Sequence, residues 1–312
     1  MKELYEGPII DAHQHFWDLE ANRYPWLMPG VLVEHRYGDY TPIKETYLPS
    51  DYLRDAAGHR VIGSVYVEAE WNPDDPLGET RYVRELAEET GRPNAIVAQA
   101  WLDRADVDDV LSAQARVARV RSVRHKPGAP DKDGRTLMSD ERWQRGYALL
   151  ERYGLHFDLQ ASWRQLSEAA QLARDFPHTT LIVNHAGVPG DRSNATLTGW
   201  RAALEELARL PNVAVKVSGL CEAGKPWSVA ANQPVLDTLH QVFGAGRLMF
   251  GSNFPVDGMF ISLDGLLRGF AELVRAWPRA DQEAFFHDTA VRIYRPEGLD
   301  DNARGTHART SR

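Results

Sequence analysis

The stretch GPIIDAHQHFWD sets two histidines, His13 and His15, one residue apart at the end of an apolar run. In an extended strand residues i and i+2 point to one face, so both imidazoles enter the same space. Paired neutral imidazoles can ligate a divalent cation or move a proton near neutral pH; they can also serve as ordinary polar end groups. Other chemistry-bearing side chains close later β-rich runs. Glu68 and Glu70 end VIGSVYVEAE, and Arg124, His125 and Lys126 follow the next but one. Asp158 and Gln160 end HFDLQ, Asn184 and His185 close TLIVNH, and Ser252 and Asn253 close RLMFGSN.

Those positions need a scaffold that gathers strand ends. Eight β-rich runs are expected at 8–11, 61–70, 95–101, 120–125, 156–160, 180–185, 213–219 and 247–253. Between them lie amphipathic helical patterns. PLGETRYVRELAEETG sets Leu77, Tyr82, Val83 and Leu86 near one stripe and stops at Gly91. SDERWQRGYALLERYG opens on Ser139 as the expected N-cap and closes on Gly154. Further helices are expected at 106–117, 165–175, 198–209, 232–242, 262–275 and 281–290. The alternation predicts an α/β chain with a single (β/α)8 TIM barrel over residues 1–298 and a flexible tail over 299–312. The competing architecture, an open doubly wound sheet, lacks a glycine-rich fingerprint after its first strand. In a parallel barrel the polar strand ends meet on one rim, where enzymes of this fold keep their active sites.

A long loop after strand 1, containing FWDLEANRYPWLMPG, breaks the rhythm. Its aromatic residues Trp17, Tyr24 and Trp26 argue for an ordered flap across the strand ends, or packing against the outside of the barrel.

Bulk properties narrow the function classes. Over 312 residues, 43% are hydrophobic and 26% charged, and the formal net charge is −8. That charge disfavours a nucleic-acid surface. No apolar run is long enough to span a bilayer, and no apolar stretch follows basic residues at the start, so neither membrane anchoring nor secretion is expected. Cys221 is the single cysteine, which excludes an internal disulfide and fits a reducing, cytoplasmic setting. A homo-oligomer is compatible with a barrel of this size, but no interface can be located.

The ordered set DAHQHFWDLEANRYPWL, VYVEAEWNPDDPLGETRYV, RSVRHKP, LIVNHAGVP and MFGSNFPVDGM resembles the amidohydrolase superfamily, and within it the amidohydrolase-related lactone hydrolases. The resemblance covers almost the whole chain. It implies a barrel enzyme that opens a lactone, or a related ester or amide, with or without one divalent cation such as zinc or manganese. It puts His13, His15 and His185 where the superfamily contacts metal, and Arg124 where these lactonases bind substrate oxygens. Two departures stand out. Strand 8 ends in Asn253 where aspartate is usual, and strand 5 ends in Asp158 and Gln160, with His156 too early in the strand.

Lactone opening needs water at an acyl carbon and stabilisation of an oxyanion. Asparagine is neutral and cannot serve as a base, so the proton acceptor falls to His185, Glu70, Asp158 or Asp257, with Asn253 offering a hydrogen bond. Arg124, His125, Trp71 and Asp158 are the candidates for binding a small lactone or carboxylate substrate. The structural alternative for Glu70 and Asp158 is an ion pair with Arg124 or Lys216, and for Trp71 it is packing. Two other functions compete: metal-dependent, non-oxidative decarboxylation of an aromatic acid, and ligand binding by a barrel that has lost catalysis.

Overall fold

In the computed structural model, which describes residues 3–21, 24–32 and 36–299, eight strands form one parallel sheet in chain order. They are β1 (Ile9–Gln14), β2 (Val61–Val67), β3 (Ala95–Gln99), β4 (Val120–Arg124), β5 (His156–Leu159), β6 (Leu181–Val183), β7 (Val213–Val217) and β8 (Leu248–Phe250). The sheet closes on itself just beyond β8. The Asn253 amide donates to the His13 carbonyl at 2.7 Å and the His15 amide to the Phe254 carbonyl at 2.8 Å. The expected (β/α)8 barrel is the observed one, and its seam runs through the first histidine motif.

Strand residues divide into two sets. Ile10, Ala12, Val65, Val67, Val97, Ile182, Ala214 and Met249 form one buried cluster with Ile293 and Tyr294. Tyr66, Ile96, Val123, Phe157, Leu159, Val215 and Phe250 belong to the larger cluster shared with the helices. This is the inside–outside alternation of a filled barrel.

The helices are α1 (Pro49–Asp55), α2 (Gly78–Thr90), α3 (Val107–Ala115), α4 (Glu141–Tyr153), α5 (Leu166–Asp175), α6 (Asn194–Ala208), α7 (Val229–Phe243) and α8 (Leu263–Leu273). Then α9 (Arg279–Glu283) and α10 (Thr289–Tyr294) flank a π-helical turn, so the helix expected at 281–290 is present and carries that turn within it. The N-cap of α4 is Asp140, whose carboxylate accepts from the Trp143 amide at 2.9 Å, and not Ser139. Ser139 ends a preceding turn and donates its hydroxyl to Glu168. Both residue types cap well, and the choice fell to tertiary contact. Helix α6 starts at Asn194, earlier than the apolar stripe suggests, because Ser193 caps it.

The loop after β1 folds across the strand ends. Trp17, Tyr24, Leu27, Tyr37, Tyr40 and Ile43 form a third apolar cluster with Ala69 and Cys221. Trp26 donates its indole N–H to the Ala69 carbonyl at 2.7 Å, fastening the flap to the end of β2. From residue 300 on, the expected tail lies outside the described residues, while Leu299 packs against the barrel-interior cluster. Among the described residues no helix is long and apolar enough to cross a membrane.

Candidate active site

A cavity of about 260 Å³ lies between the flap and the strand ends. The flap contributes Trp26, Arg36, Tyr37 and Tyr40. The barrel rim contributes His15, Ala69, Glu70, Arg124, Lys126, Gln160, His185, Asn253 and Val256. Of the candidates from the sequence, His15, Glu70, Arg124, His185 and Asn253 therefore meet around one space. The volume suits a single small ring with its substituents.

Three of them have strained backbones. Glu70, His185 and Asn253 have φ of 60°, 54° and 57°. For residues with a Cβ the left-handed region costs roughly 1–2 kcal/mol each, and such residues persist where surrounding structure holds them. They follow β2, β6 and β8, and the turn directs each side chain over the barrel mouth.

The histidines form a tight group. Ring centres of His13 and His185 are 4.5 Å apart, and those of His13 and His15 are 5.2 Å apart. A shift in the β1–β2 register between Asp11 and Gln14 falls in this stretch, so a bulge contributes to their aim. The Nδ1 of His15 lies 2.7 Å from the Val67 carbonyl. A carbonyl only accepts, so Nδ1 carries the proton and Nε2 keeps its lone pair. His185 Nδ1 is 3.0 Å from the Ser218 hydroxyl. His13 is fully buried, and among the described residues neither ring nitrogen has a hydrogen-bond partner. Burial and neighbouring cations hold all three imidazoles neutral: His15 is lowered to about 3, and His13 and His185 fall well below the usual histidine range.

Arg124 is locked. Its Nε donates to the Glu68 carboxylate, one Nη to the Glu68 carbonyl, and the other to Gln160 Oε1 at 3.0 Å. A guanidinium has five N–H groups, so two remain for a ligand. Lys126 pairs with Glu70 at 2.9 Å. This is the ion-pair alternative for Glu70, formed with Lys126.

Asp257 sits behind Asn253. It accepts from Asn253 Nδ2 at 2.7 Å and from the Tyr37 hydroxyl at 3.2 Å, and burial raises its pKa to about 6. Asp158 lies deeper still. Lys216 Nζ stands 2.6 Å from its carboxylate, close enough to pair charge with charge without meeting hydrogen-bond angles, and both are fully buried. Asn184 donates to the same carboxylate at 2.8 Å, and Tyr294 at 2.9 Å. His156 opens β5 and contacts the Ile293 carbonyl at 3.0 Å, near the barrel floor.

His125 and Trp71 do not line the cavity. His125 Nδ1 accepts from the Leu102 amide at 3.0 Å and the Trp143 indole at 2.9 Å. Trp71 stacks on Tyr82 and meets Tyr24 edge-on at 5.1 Å. Arg36, Tyr37 and Tyr40 were missed from the sequence, because a loop without periodicity gives no signal of which side chains face inward.

Among the described residues no three His, Cys, Asp or Glu side chains are arranged as a ready metal site. The unpartnered nitrogens of His13 are the feature that suits a cation, but no carboxylate completes the set.

The amidohydrolase family (Amidohydro_2) profile matches residues 10–295. An uncharacterised protein of Sinorhizobium fredii, y4mH, is 37% identical over 92% of this chain and 98% of its own. An L-fucono-1,5-lactonase of Burkholderia multivorans is 34% identical, covering 93% of this chain and 97% of its own. A crystal structure of a Burkholderia multivorans amidohydrolase with bound zinc superposes with a TM-score of 0.79 at 29% identity, over 93% of this chain and all of that one. With a closed barrel and its polar residues gathered at the rim, the chain belongs to the amidohydrolase family.

Proposed function

We propose that the protein is a lactonase that hydrolyses a small cyclic ester by attack of water at the ring carbonyl. The observation that carries this reading is the joint presentation of Glu70, His185 and Asn253, all in left-handed backbone, around one cavity with Arg124. Near-full-length similarity to an L-fucono-1,5-lactonase supports the same chemistry.

In this reading the two free N–H groups of Arg124 meet the ester carbonyl oxygen and stabilise the charge that develops on it. Their aim is fixed before substrate arrives, because Glu68 and Gln160 hold the rest of the guanidinium. His185, neutral at working pH, takes the proton of the attacking water, and Ser218 orients its ring. Asn253 positions that water through its amide, itself held by Asp257. Glu70, steered by Lys126, faces the hydroxyl groups of the substrate. Tetrahedral collapse then breaks the ring C–O bond, and the imidazolium returns its proton to the departing alkoxide.

A divalent cation, zinc or manganese, would take its ligands from His13, His15 and His185 and would supply carbonyl polarisation or an acidified water. The present side chains fit it poorly, with Asn253 where a carboxylate would bind. The steps above therefore rest on the chain's own groups.

A pH-stat panel of 1,4- and 1,5-aldonolactones and aldarolactones tests the reading. Acid release on at least one series, lost in His185→Asn, is expected; no turnover on any member ends it.

A further inference from the structure

Arg36 enters the cavity from the flap, with its guanidinium over the Tyr37 ring at 4.4 Å from the centroid. Tyr37 is buried and bonded to Asp257, so the platform beneath the cation is fixed. The inner end of the guanidinium is placed by Gly219. A Cβ there would lie 2.5 Å from Arg36 Nη2 and 2.6 Å from His185 Nδ1, so both nitrogens crowd one point above bare backbone. Arg36 is thus a neighbour of the proposed proton acceptor.

Charge pairing in the cavity is uneven. Arg124 is matched by Glu68 and Lys126 by Glu70. Among the described residues Arg36 forms no ion pair and no hydrogen bond, although it faces the same space. Behind it stands a second guanidinium, Arg192. Its Nη2 donates to the Leu220 carbonyl at 3.0 Å, while its Nε and Nη1 are buried without partners among the described residues. Glu222 offsets part of that charge, and Lys225 already holds Glu222 at 2.9 Å. Asp257 offsets part of the Arg36 charge from behind Tyr37 without pairing with it, so among the described residues the flap side of the cavity is a cationic wall with no directly paired anion. The reacting carbonyl of a lactone is neutral until the transition state and cannot supply one in the ground state. A carboxylate elsewhere on the substrate can, and the guanidinium fork matches it with two parallel hydrogen bonds.

Resting on the lactonase reading above, we propose that Arg36 receives a carboxylate carried on the lactone ring, so that the substrate class is an anionic aldarolactone rather than a neutral aldonolactone. Arg36 is then the specificity-determining residue of the flap.

The test uses matched pairs that differ only at the terminal carbon. Galactaro-1,4-lactone is compared with galactono-1,4-lactone, and likewise in the gluco and manno series, on the full chain. In at least one series the carboxylate-bearing member should show a kcat/KM higher by on the order of 10- to 100-fold, the range of a charge-assisted pair. Arg36→Ala should collapse that ratio toward unity, mainly through KM of the anionic member, and Arg36→Lys should restore part of it. Titration calorimetry with the open-chain diacid galactarate and the monoacid galactonate reads binding without turnover, and only galactarate should weaken in Arg36→Ala. Equal use of both members in every series, or an Arg36→Ala loss falling equally on both through kcat, overturns the proposal. Turnover of neither class ends the lactonase reading itself. In that case Arg36-dependent galactarate binding still upholds the anion site, and its absence overturns it.

Discussion

Arg124 illustrates how a single side chain is made into a tool. Its charge is fully buried against Glu68, and breaking such a pair costs about 3–5 kcal/mol because the survivor stays charged in the interior. Glu68→Ala should therefore unfold more readily than wild type by about that amount in urea titration. Arg124→Lys keeps the charge but loses the fork, and should lower kcat on the order of 100-fold with a smaller effect on stability. His185→Asn removes the proposed acceptor and should cost roughly 100- to 10,000-fold in kcat, read by pH-stat. Asn253→Asp returns a carboxylate beside the imidazoles; elemental analysis after incubation with zinc should show higher occupancy than wild type. Arg124, His185 and Asn253 were legible in the sequence because each ends an apolar run. Arg36 was not, since only the course of the flap brings it to the cavity.

At the level of elements, the space around the absent Cβ separates two glycines that share left-handed backbone. Gly91 ends α2 with φ of +78° and, among the described residues, has no atom within 4 Å of a Cβ position; Gly219 has φ of +58° and is crowded by Arg36 and His185. Gly91→Ala should cost about 1 kcal/mol and leave kcat unchanged. Gly219→Ala carries the same backbone penalty and must also push aside two cavity groups. It should lose at least about 10-fold in kcat/KM, measured alongside thermal unfolding. The order and type of all eight strands could be read from periodicity, since β-branched runs bounded by turns leave little choice. Capping by Asp140, the π-helical turn before α10 and the bulge in β1 could not, because each is decided by neighbours distant in sequence.

For the molecule as a whole, the buried imidazoles set the response to acid. His15 is held near 3 in the folded chain, while an unfolded histidine titrates near 6.5, so the unfolded state gains protons first as pH falls. Stability should drop between pH 6.5 and 3, by about 2 kcal/mol from His15 alone at pH 5. His13 and His185 act in the same direction. Asp257 opposes them: raised to about 6, it favours the folded state as pH falls through that value. Asp257→Asn should therefore steepen the loss between pH 7 and 5, as read from urea midpoints. The barrel was foreseeable from the chain, and so was the rim; the balance of charge inside the cavity needed coordinates, because pairing depends on which ends face each other across the mouth.

The seam between His13 and Asn253 joins residues from opposite ends of the described chain, and the same short segments border the cavity. A molecule lodged there grips both margins of the closure, like a clasp over a join. Its binding should delay melting of the entire cylinder rather than calm one loop, and slowed hydrogen exchange should extend to strands far from any contact.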